Sequence, residues 1–333
     1  MPDRLLQFSV SVIVVNFNCL STLNACISTI LRSNAVEELL LIDNASTDTS
    51  LESIKQLTDE RLKIIRLNRN IGLASARNYA VSKARCNILA ITDADIAVDP
   101  QWLNYPCLLL ERHKEFGAVQ CNIILTENVE NIASSLLKSN NVKSERVFEE
   151  KENSYNYYLF PIGAAFVIKR EIWDIINGFD SSFFIGNDDV DFGIRLWSSG
   201  HKVITSNEGK VYHEFGTLRS QKHISPIFQF YGLRNMLIIW LKNLEFKTIM
   251  KYVLPFTFLY PFMAVRYGGI TGIRGLFSFF KNLPLILSNR LKVQRLRRTS
   301  DDKIVPMMRE AGTMPIDLIT NDFRLFCQRI FGH

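Results

Sequence analysis

Residues 8–15, FSVSVIVV, are apolar and β-branched with no strong alternation. That is the pattern of a parallel strand covered on both faces. The polar turn Asn16-Phe17-Asn18 follows, and then a predicted helix over about residues 21–32. Residues 38–44, ELLLIDN, repeat the scheme of an apolar run ending in turn residues. Beyond them the pattern predicts a helix near 51–57, a strand at 63–68 (KIIRLN) and a helix near 74–84. Residues 86–95, CNILAITDAD, form one more apolar strand that ends in acids. Strand–helix alternation of this kind predicts a doubly wound α/β sheet. Open parallel sheets bind ligands beyond the carboxyl ends of their strands. The clusters NFN (16–18), DNASTD (43–48) and TDAD (92–95) all fall at such ends. They are expected to converge on one crevice.

Further along, residues 126–158 are polar and charged and read as an acceptor-side excursion. Residues 164–178 predict a strand and then a helix stopping at Gly178, and residues 189–200 a short helix ending at Gly200. KVITS (202–206) and KVYHEF (210–215) read as two further short strands. The charge changes sign along the chain. Residues 221–298 hold 13 Lys and Arg against the single acid Glu245, whereas the remainder holds 26 bases and 32 acids. Six cysteines (19, 26, 86, 107, 121 and 327) are scattered without a C-x-x-C pair. Zinc ribbons and thioredoxin-like sites are thereby disfavoured, and reduced thiols in the cytoplasm are expected. The opening apolar run is too short to span a membrane and lacks a basic leader.

Three groups of residues carry candidate chemistry. Asp93-Ala94-Asp95 places two carboxylates one residue apart at a strand end. They suit a hard divalent cation and a neighbouring ribose, or else a solvated turn. Asp188, Asp189 and Asp191 put three carboxylates in four residues. Their repulsion raises the pKa of one, which suits a base that takes a hydroxyl proton. The same acids also suit the first turn of a helix. His213 reads either as a structural histidine or as a metal ligand.

The segments VSVIVVNFN (10–18), LIDNASTD (41–48), LNRNIGLASARN (67–78), ITDADIAVDP (91–100), the run 163–203 and VYHEFGT (211–217) together resemble glycosyltransferase family 2, in that order. The resemblance covers about residues 8–217 and is of the bacterial surface-polysaccharide type. It implies the GT-A fold, a doubly wound, Rossmann-like mixed sheet, with a mainly helical C-terminal extension. It implies a catalytic domain over 1–220, with nucleotide-sugar binding in 8–100 and the acceptor side in 101–220, followed by a helical, basic and apolar region over 221–333. It assigns Phe17, Asp43, Gly72, Arg77, Asn78 and Asp93 to the nucleotide. Asp95 and His213 become ligands of Mn or Mg, and Gly163 and Asp191 lie on the acceptor side. Asp188-Asp189 stands where the family has Glu-Asp, which leaves Asp189 as the base candidate and Asp188 beside it. The implied activity is inverting, metal-dependent transfer of a hexose or related sugar from a nucleotide diphosphate to an acceptor hydroxyl, with a lipid-linked glycan as the expected acceptor. The Q-x-x-R-W motif of processive members is absent from the sequence.

The tail combines bases with apolar runs. YVLPFTFLYPFMAV (252–265) and GLFSFFKNLPLILS (275–288) are each interrupted by proline and are short for a span of about 20 residues. Helices lying in the headgroup plane, or a shallow re-entrant pair, are expected, with Arg290, Lys292, Arg295, Arg297 and Arg298 facing anionic lipid at the inner face of the cell membrane. A helical subdomain packed on the sheet, or a dimer interface, is the other reading. Nucleic acid is not an expected partner, since no recognition motif accompanies the bases. Two other functions compete: a polyprenyl-phosphate glycosyltransferase, and a non-catalytic nucleotide-sugar-binding subunit.

Overall fold

The apolar run that opens the chain forms β1 (Val10–Asn16), with every residue buried. In the computed structural model the described residues are 8–138, 155–214, 226–257 and 260–315. They fall into two compact units, one within 1–178 and 202–215 and the other within 179–201 and 216–333.

The first unit holds the sheet. After β1 come α1 (Leu23–Ile30), β2 (Val36–Asp43), β3 (Leu62–Arg66), α2 (Leu73–Lys83), β4 (Ile88–Thr92) and β5 (Ile96–Val98). Then follow α3 (Asn104–Arg112), β6 (Phe116–Thr126), α4 (Val129–Lys138), β7 (Tyr155–Tyr158), β8 (Ala165–Lys169) and α5 (Arg170–Ile176). The unit's last strand is β9 (Lys202–Glu214), reached after α6 (Asp188–Ser198) of the second unit. The strand order is β3-β2-β1-β4-β8-β6-β9-β5, with β7 also paired to β9. β1, β2, β3 and β4 run parallel, as the repeated strand–helix scheme predicts, whereas β8 pairs antiparallel with both β4 and β6. The sheet is therefore mixed. Asn16 stands opposite Asp43, and Val14 opposite Thr92, so the three polar strand ends finish at one level.

Two elements differ from expectation. The helix near 51–57 is a single 3-10 turn, Ser50–Ile54. KVITS and the described part of KVYHEF, to Glu214, are one strand rather than two. The side chain and backbone of Ser206 and Glu208 bond to each other there, and Gly209 takes a φ of 79°. A Cβ at Gly209 would sit 2.3 Å from the Trp102 carbonyl, so glycine lets the strand bulge and continue.

The strand β2 carries Glu38 into the core. Glu38 has no exposed surface. It accepts from Ser11 Oγ at 2.7 Å, Lys63 Nζ at 2.8 Å and Arg85 Nε at 3.0 Å, and from the Arg85 amide. Burial alone raises its pKa, but these donors outweigh burial and hold it at about 2.

The second unit is helical. It comprises α6, α7 (Pro226–Asn243), α8 (Phe246–Thr248), a π-turn at Ile249–Val253, α9 (Leu254–Thr257), α10 (Tyr260–Lys281), α11 (Leu283–Leu296) and α12 (Asp301–Glu310). A Cβ at Gly275 would lie 2.9 Å from the Phe230 carbonyl, so glycine lets α10 approach α7 closely. Gly269, at a φ of 52°, kinks α10. Among the described residues no helix is long and apolar enough to cross a membrane. Instead, α10 leaves Ile270, Ile273 and Phe277 exposed at helical spacing, and Leu285, Leu287 and Leu291 of α11 are exposed as well. No acid occurs between residues 246 and 296.

Two arginines expected at lipid turn inward. Arg290 Nη1 donates to the Leu241 and Leu244 carbonyls at 2.6 Å each. Arg297 binds the Asn243 carbonyl and Asp301, the latter at 2.9 Å. Both satisfy carbonyls at the end of α7 that the helix itself leaves without donors, and their positive charge suits that helix end. Lys292, Arg295 and Arg298 remain exposed.

Glu38 generates a pH-dependent contribution. Its folded pKa lies below the ordinary value of about 4.3, so its stabilisation is complete above that value and is lost as pH falls towards about 2. Glu38→Gln is expected to cost on the order of 3 kcal/mol at neutral pH and to flatten the acid limb of the stability curve between pH about 4.5 and 2. Denaturant unfolding across that range checks both effects.

Candidate active site

The loops after β1 and β2 are laced together. Asn16 Nδ2 donates to Asp43 Oδ1 at 3.0 Å and to Ser50 Oγ at 2.8 Å. Asn18, with a φ of 57°, accepts from the Thr47 amide at 2.8 Å through Oδ1. Within this frame Asp43 is buried, while Phe17 remains 45% exposed and offers a ring face. Asn44 Nδ2 donates to Asn70 Oδ1 at 3.0 Å, and the amides of Ile71 and Gly72 bind Asn44 and Asn70 in return. The residues 70–72 are thus tied to the end of β2. Gly72 has φ 84° and ψ 158°, a conformation open essentially to glycine, immediately before α2. Neither the Asn16 hub nor the Asn44–Asn70 clamp is evident from sequence, apart from the density of asparagine at the strand ends.

Of the two residues expected at the nucleotide in α2, Arg77 is enclosed and Asn78 is half-buried. Arg77 is only 1% exposed and lies inside α2's packed face. Its Nη2 donates to Asp93 Oδ1 at 2.6 Å and to the Gly163 carbonyl at 3.0 Å. Asn78 packs against the α5 terminus, where a Cβ on Gly178 would lie 2.6 Å from Asn78 Oδ1. Arg77 therefore acts as a brace: it fixes Asp93 and joins β4 to the segment before β8. Gly163 is small because that guanidinium lies on it; a Cβ there would meet Arg77 Nη2 at 2.7 Å and Nη1 at 2.9 Å.

Asp93 and Asp95 flank the turn between β4 and β5. β5 pairs antiparallel with the end of β9, with Ile96 opposite His213, and the Glu214 amide donates to the Asp95 carbonyl at 2.9 Å. That register brings His213 Nε2 to 3.2 Å from Asp95 Oδ1. One ligand atom each from Asp93, Asp95 and His213 lies within 4.8 Å of the others. Asp95 Oδ1 is buried yet accepts no well-formed hydrogen bond, the His213 approach being poorly angled. Two carboxylates, an imidazole and an unsatisfied buried oxygen fit a divalent cation. Asp93 stands in this cluster as well as beside Arg77. The acids act on their surroundings. Burial lowers the pKa of His213, but Asp95 and then Asp93 outweigh it and hold the value above the ordinary one. Burial pushes the Cys19 thiol up to about 11, and Asp95 and Asp93 add to the rise. The cysteines among the described residues are free thiols; Cys327 lies outside them.

The remaining acids belong to the second unit. Asn187 precedes α6 with a φ of 60°, and Asp188, Asp189 and Asp191 occupy the helix's first turn, where acids favour the positive dipole end. Asp188 is buried and Asp189 half-buried. Asp191 corrects an expectation. It has no exposed surface, and its oxygens bind Arg195 Nε, Lys242 Nζ and Asn243 Nδ2, each at 2.8 Å. A carboxylate so enclosed holds α6 to α7 and has no face for an acceptor. Lys242 also binds Asp180 at 2.5 Å, and this charge keeps Asp180 below the usual carboxylate range despite its burial.

A parallel nucleotide-type half, an antiparallel β8 and an Asp-Asp-His cluster at the strand ends define a GT-A fold. The fold is shared with a mannosyltransferase of Pyrobaculum calidifontis solved with GDP-Man and Mn2+. The TM-score is 0.52 at 16% identity, over 87% of this chain and 86% of that one. Residues 11–175 match the model of Glycosyl transferase family 2, and through them the chain belongs to that family. The O-antigen biosynthesis protein RfbC of Myxococcus xanthus is 24% identical over 55% of this chain and 15% of its own length. The UDP-Glc:alpha-D-GlcNAc-diphosphoundecaprenol beta-1,3-glucosyltransferase WfaP of Escherichia coli is 32% identical over 26% of this chain and 35% of its own. The chain thus spans well under half of either relative.

The Arg77 brace is testable at Gly163. Gly163→Ala forces the guanidinium or the strand to shift and is expected to cost about 1–3 kcal/mol, the usual range for overpacking. Chemical denaturation is the measurement, and unchanged stability would refute a tight brace.

Proposed function

We propose that this chain is an inverting, cation-dependent glycosyltransferase that moves a sugar from a nucleotide diphosphate to an acceptor hydroxyl. The observation that carries this reading is the Asp93–Asp95–His213 cluster at the carboxyl ends of a GT-A sheet. A divalent cation held there supplies Lewis-acid neutralisation of the departing diphosphate. The exposed ring of Phe17 offers a stacking face to the base, and Asp43 an acceptor for a pyrimidine imide. Arg77 holds Asp93 in place through its 2.6 Å contact. Asp189 takes the acceptor proton as the acceptor oxygen bonds to the anomeric carbon. The bond from that carbon to the diphosphate oxygen breaks at the same time, and its electron pair leaves with the nucleotide. One displacement inverts the anomeric configuration.

The acceptor we propose is a lipid-linked glycan of surface polysaccharide synthesis, met at the inner face of the cell membrane. The naming of RfbC and WfaP supports that reading. So do the exposed Ile270, Ile273 and Phe277 on an acid-free, basic stretch. Apolar side chains at headgroup depth together with surface bases are what peripheral binding to anionic lipid requires.

Activity tests come first. A panel of UDP, GDP and dTDP sugars is scored for nucleoside diphosphate release with Mn2+, and product NMR reads the anomer. Asp95→Ala is expected to abolish release, and full turnover in excess EDTA would overturn the cation requirement. Asp189→Asn is expected to lower turnover by roughly 10²–10⁴-fold with donor affinity little changed, and Asp188→Asn by less. A larger loss for Asp188→Asn would reverse the assignment within the pair.

Membrane binding is checked by flotation with phosphatidylglycerol vesicles. The chain is expected to float, with salt releasing it only in part. Replacing Ile270, Ile273 and Phe277 with Ser, or Lys292, Arg295 and Arg298 with Gln, should weaken flotation. Arg290 and Arg297 are left intact because they cap α7. A chain that stays below the vesicles at low salt would make the apolar face an assembly surface.

A further inference from the structure

The loop that delivers Asp188 and Asp189 is held in an unusual shape. Gly186 and Asn187 both have positive φ, at 78° and 60°. Two left-handed residues in succession turn the chain sharply into the first turn of α6, and the asparagine adopts this conformation at some cost. Such a turn persists where its surroundings fix it. One side chain bonds to both of the peptide groups that enter it. Asn235 of α7 has no exposed surface. Its Nδ2 donates to the Ile185 carbonyl at 3.1 Å and to the Gly186 carbonyl at 2.8 Å, the two peptide groups that enter the turn. Its Oδ1 accepts from Arg234 Nη1 at 3.2 Å, so the amide is used at both ends. The clasp is returned and extended: Asn187 Nδ2 donates to the Gly232 carbonyl at 3.3 Å, and Arg234 Nη1 to the Ser182 carbonyl at 3.0 Å. Beyond the turn, Lys242 and Asn243 of the same helix grip Asp191. Arg234 and Asn235 of α7 therefore hold the segment before α6, while Lys242 and Asn243 hold α6 itself.

We propose that Asn235 is a positioning residue for the acceptor-activating step, acting through the 185–187 turn on Asp188 and Asp189. This rests on the reading of Asp189 as the base. A general base must lie within hydrogen-bond reach of the proton it removes, and small misplacement is costly. Asn235 touches no reacting atom; it sets the direction in which the acid pair enters α6. The C-terminal helices thereby contribute to turnover as well as to any surface the chain binds.

The test compares Asn235→Asp, Asn235→Ala and Asn235→Gln in the full chain. Asp has the same shape but cannot donate, so it faces two carbonyls with a carboxylate. Gln keeps the amide on a longer arm. The donor is whichever sugar nucleotide of the panel the unaltered chain turns over with Mn2+. For Asn235→Asp and Asn235→Ala, kcat is expected to fall about 10–100-fold. The KM for that donor and calorimetric UDP binding should stay within about twofold, because neither depends on the base. Asn235→Gln should recover part of kcat. Amide hydrogen exchange at residues 187–190 should quicken in the Asp and Ala variants, a readout that needs no substrate. Unchanged exchange, unchanged kcat, or a fall in UDP affinity parallel to kcat would each overturn the proposal. If the unaltered chain releases no nucleotide from any donor, it is the glycosyltransferase reading that fails, while exchange still decides whether Asn235 holds the turn.

Discussion

Three residues of β5 pair with the end of β9, and the acid–histidine cluster exists because of that pairing. Asp93 and Asp95 arrive together on one tight turn, whereas His213 is contributed by a strand far along the chain. The antiparallel register fixes Ile96 against His213, and the backbone bond from Glu214 to Asp95 locks it. A slip of one residue would turn His213 to the opposite face of the sheet. The bulge at Gly209 sets where along β9 that register begins, so a backbone detail of the strand that carries His213 decides the cluster's geometry.

Placing two carboxylates this close is unfavourable unless something offsets their repulsion. Arg77 does part of this from below, bound to Asp93 and to the carbonyl before β8. His213 does part of it from the side, held above its ordinary pKa by Asp95 and Asp93. The imbalance that remains is felt by Cys19 and Cys26, whose thiols burial and these acids keep protonated. A field of that sign, with an oxygen of Asp95 left unsatisfied, is a preorganised environment for a cation.

Much of this was legible in the sequence, and the reason is periodicity. Parallel strands buried on both faces announce themselves as unbroken apolar runs, as in residues 12–15 and 39–42, and the polar residues that end them mark the crevice. The Asp93–Asp95 pair was legible because it ends such a run. What a single sequence does not display is the direction of a charged side chain. Arg77, Asp191, Arg290 and Arg297 read as ligand, acceptor or lipid contacts, yet each closes a buried network that includes partners remote along the chain. Glu38 is the same case within a strand: a fully buried acid at the head of an apolar run, made tolerable by four donors from three other segments. Asn235 carries no charge and sits in an apolar helix, so its carbonyl partners gave no sign in the sequence.

The chain leaves the sheet after residue 178, builds α6, returns to lay down β9 and departs again. Neither unit is therefore a continuous stretch of polypeptide. During synthesis the sheet cannot close until residue 214 has emerged, and by then the helix bearing Asp188 and Asp189 has already been made without the α7 that clasps it. The nascent chain must hold an incomplete helical unit while it finishes the sheet. For the same reason neither unit is a portable cassette: exchanging one between relatives requires three crossovers, and the last would fall beside the histidine of the cluster.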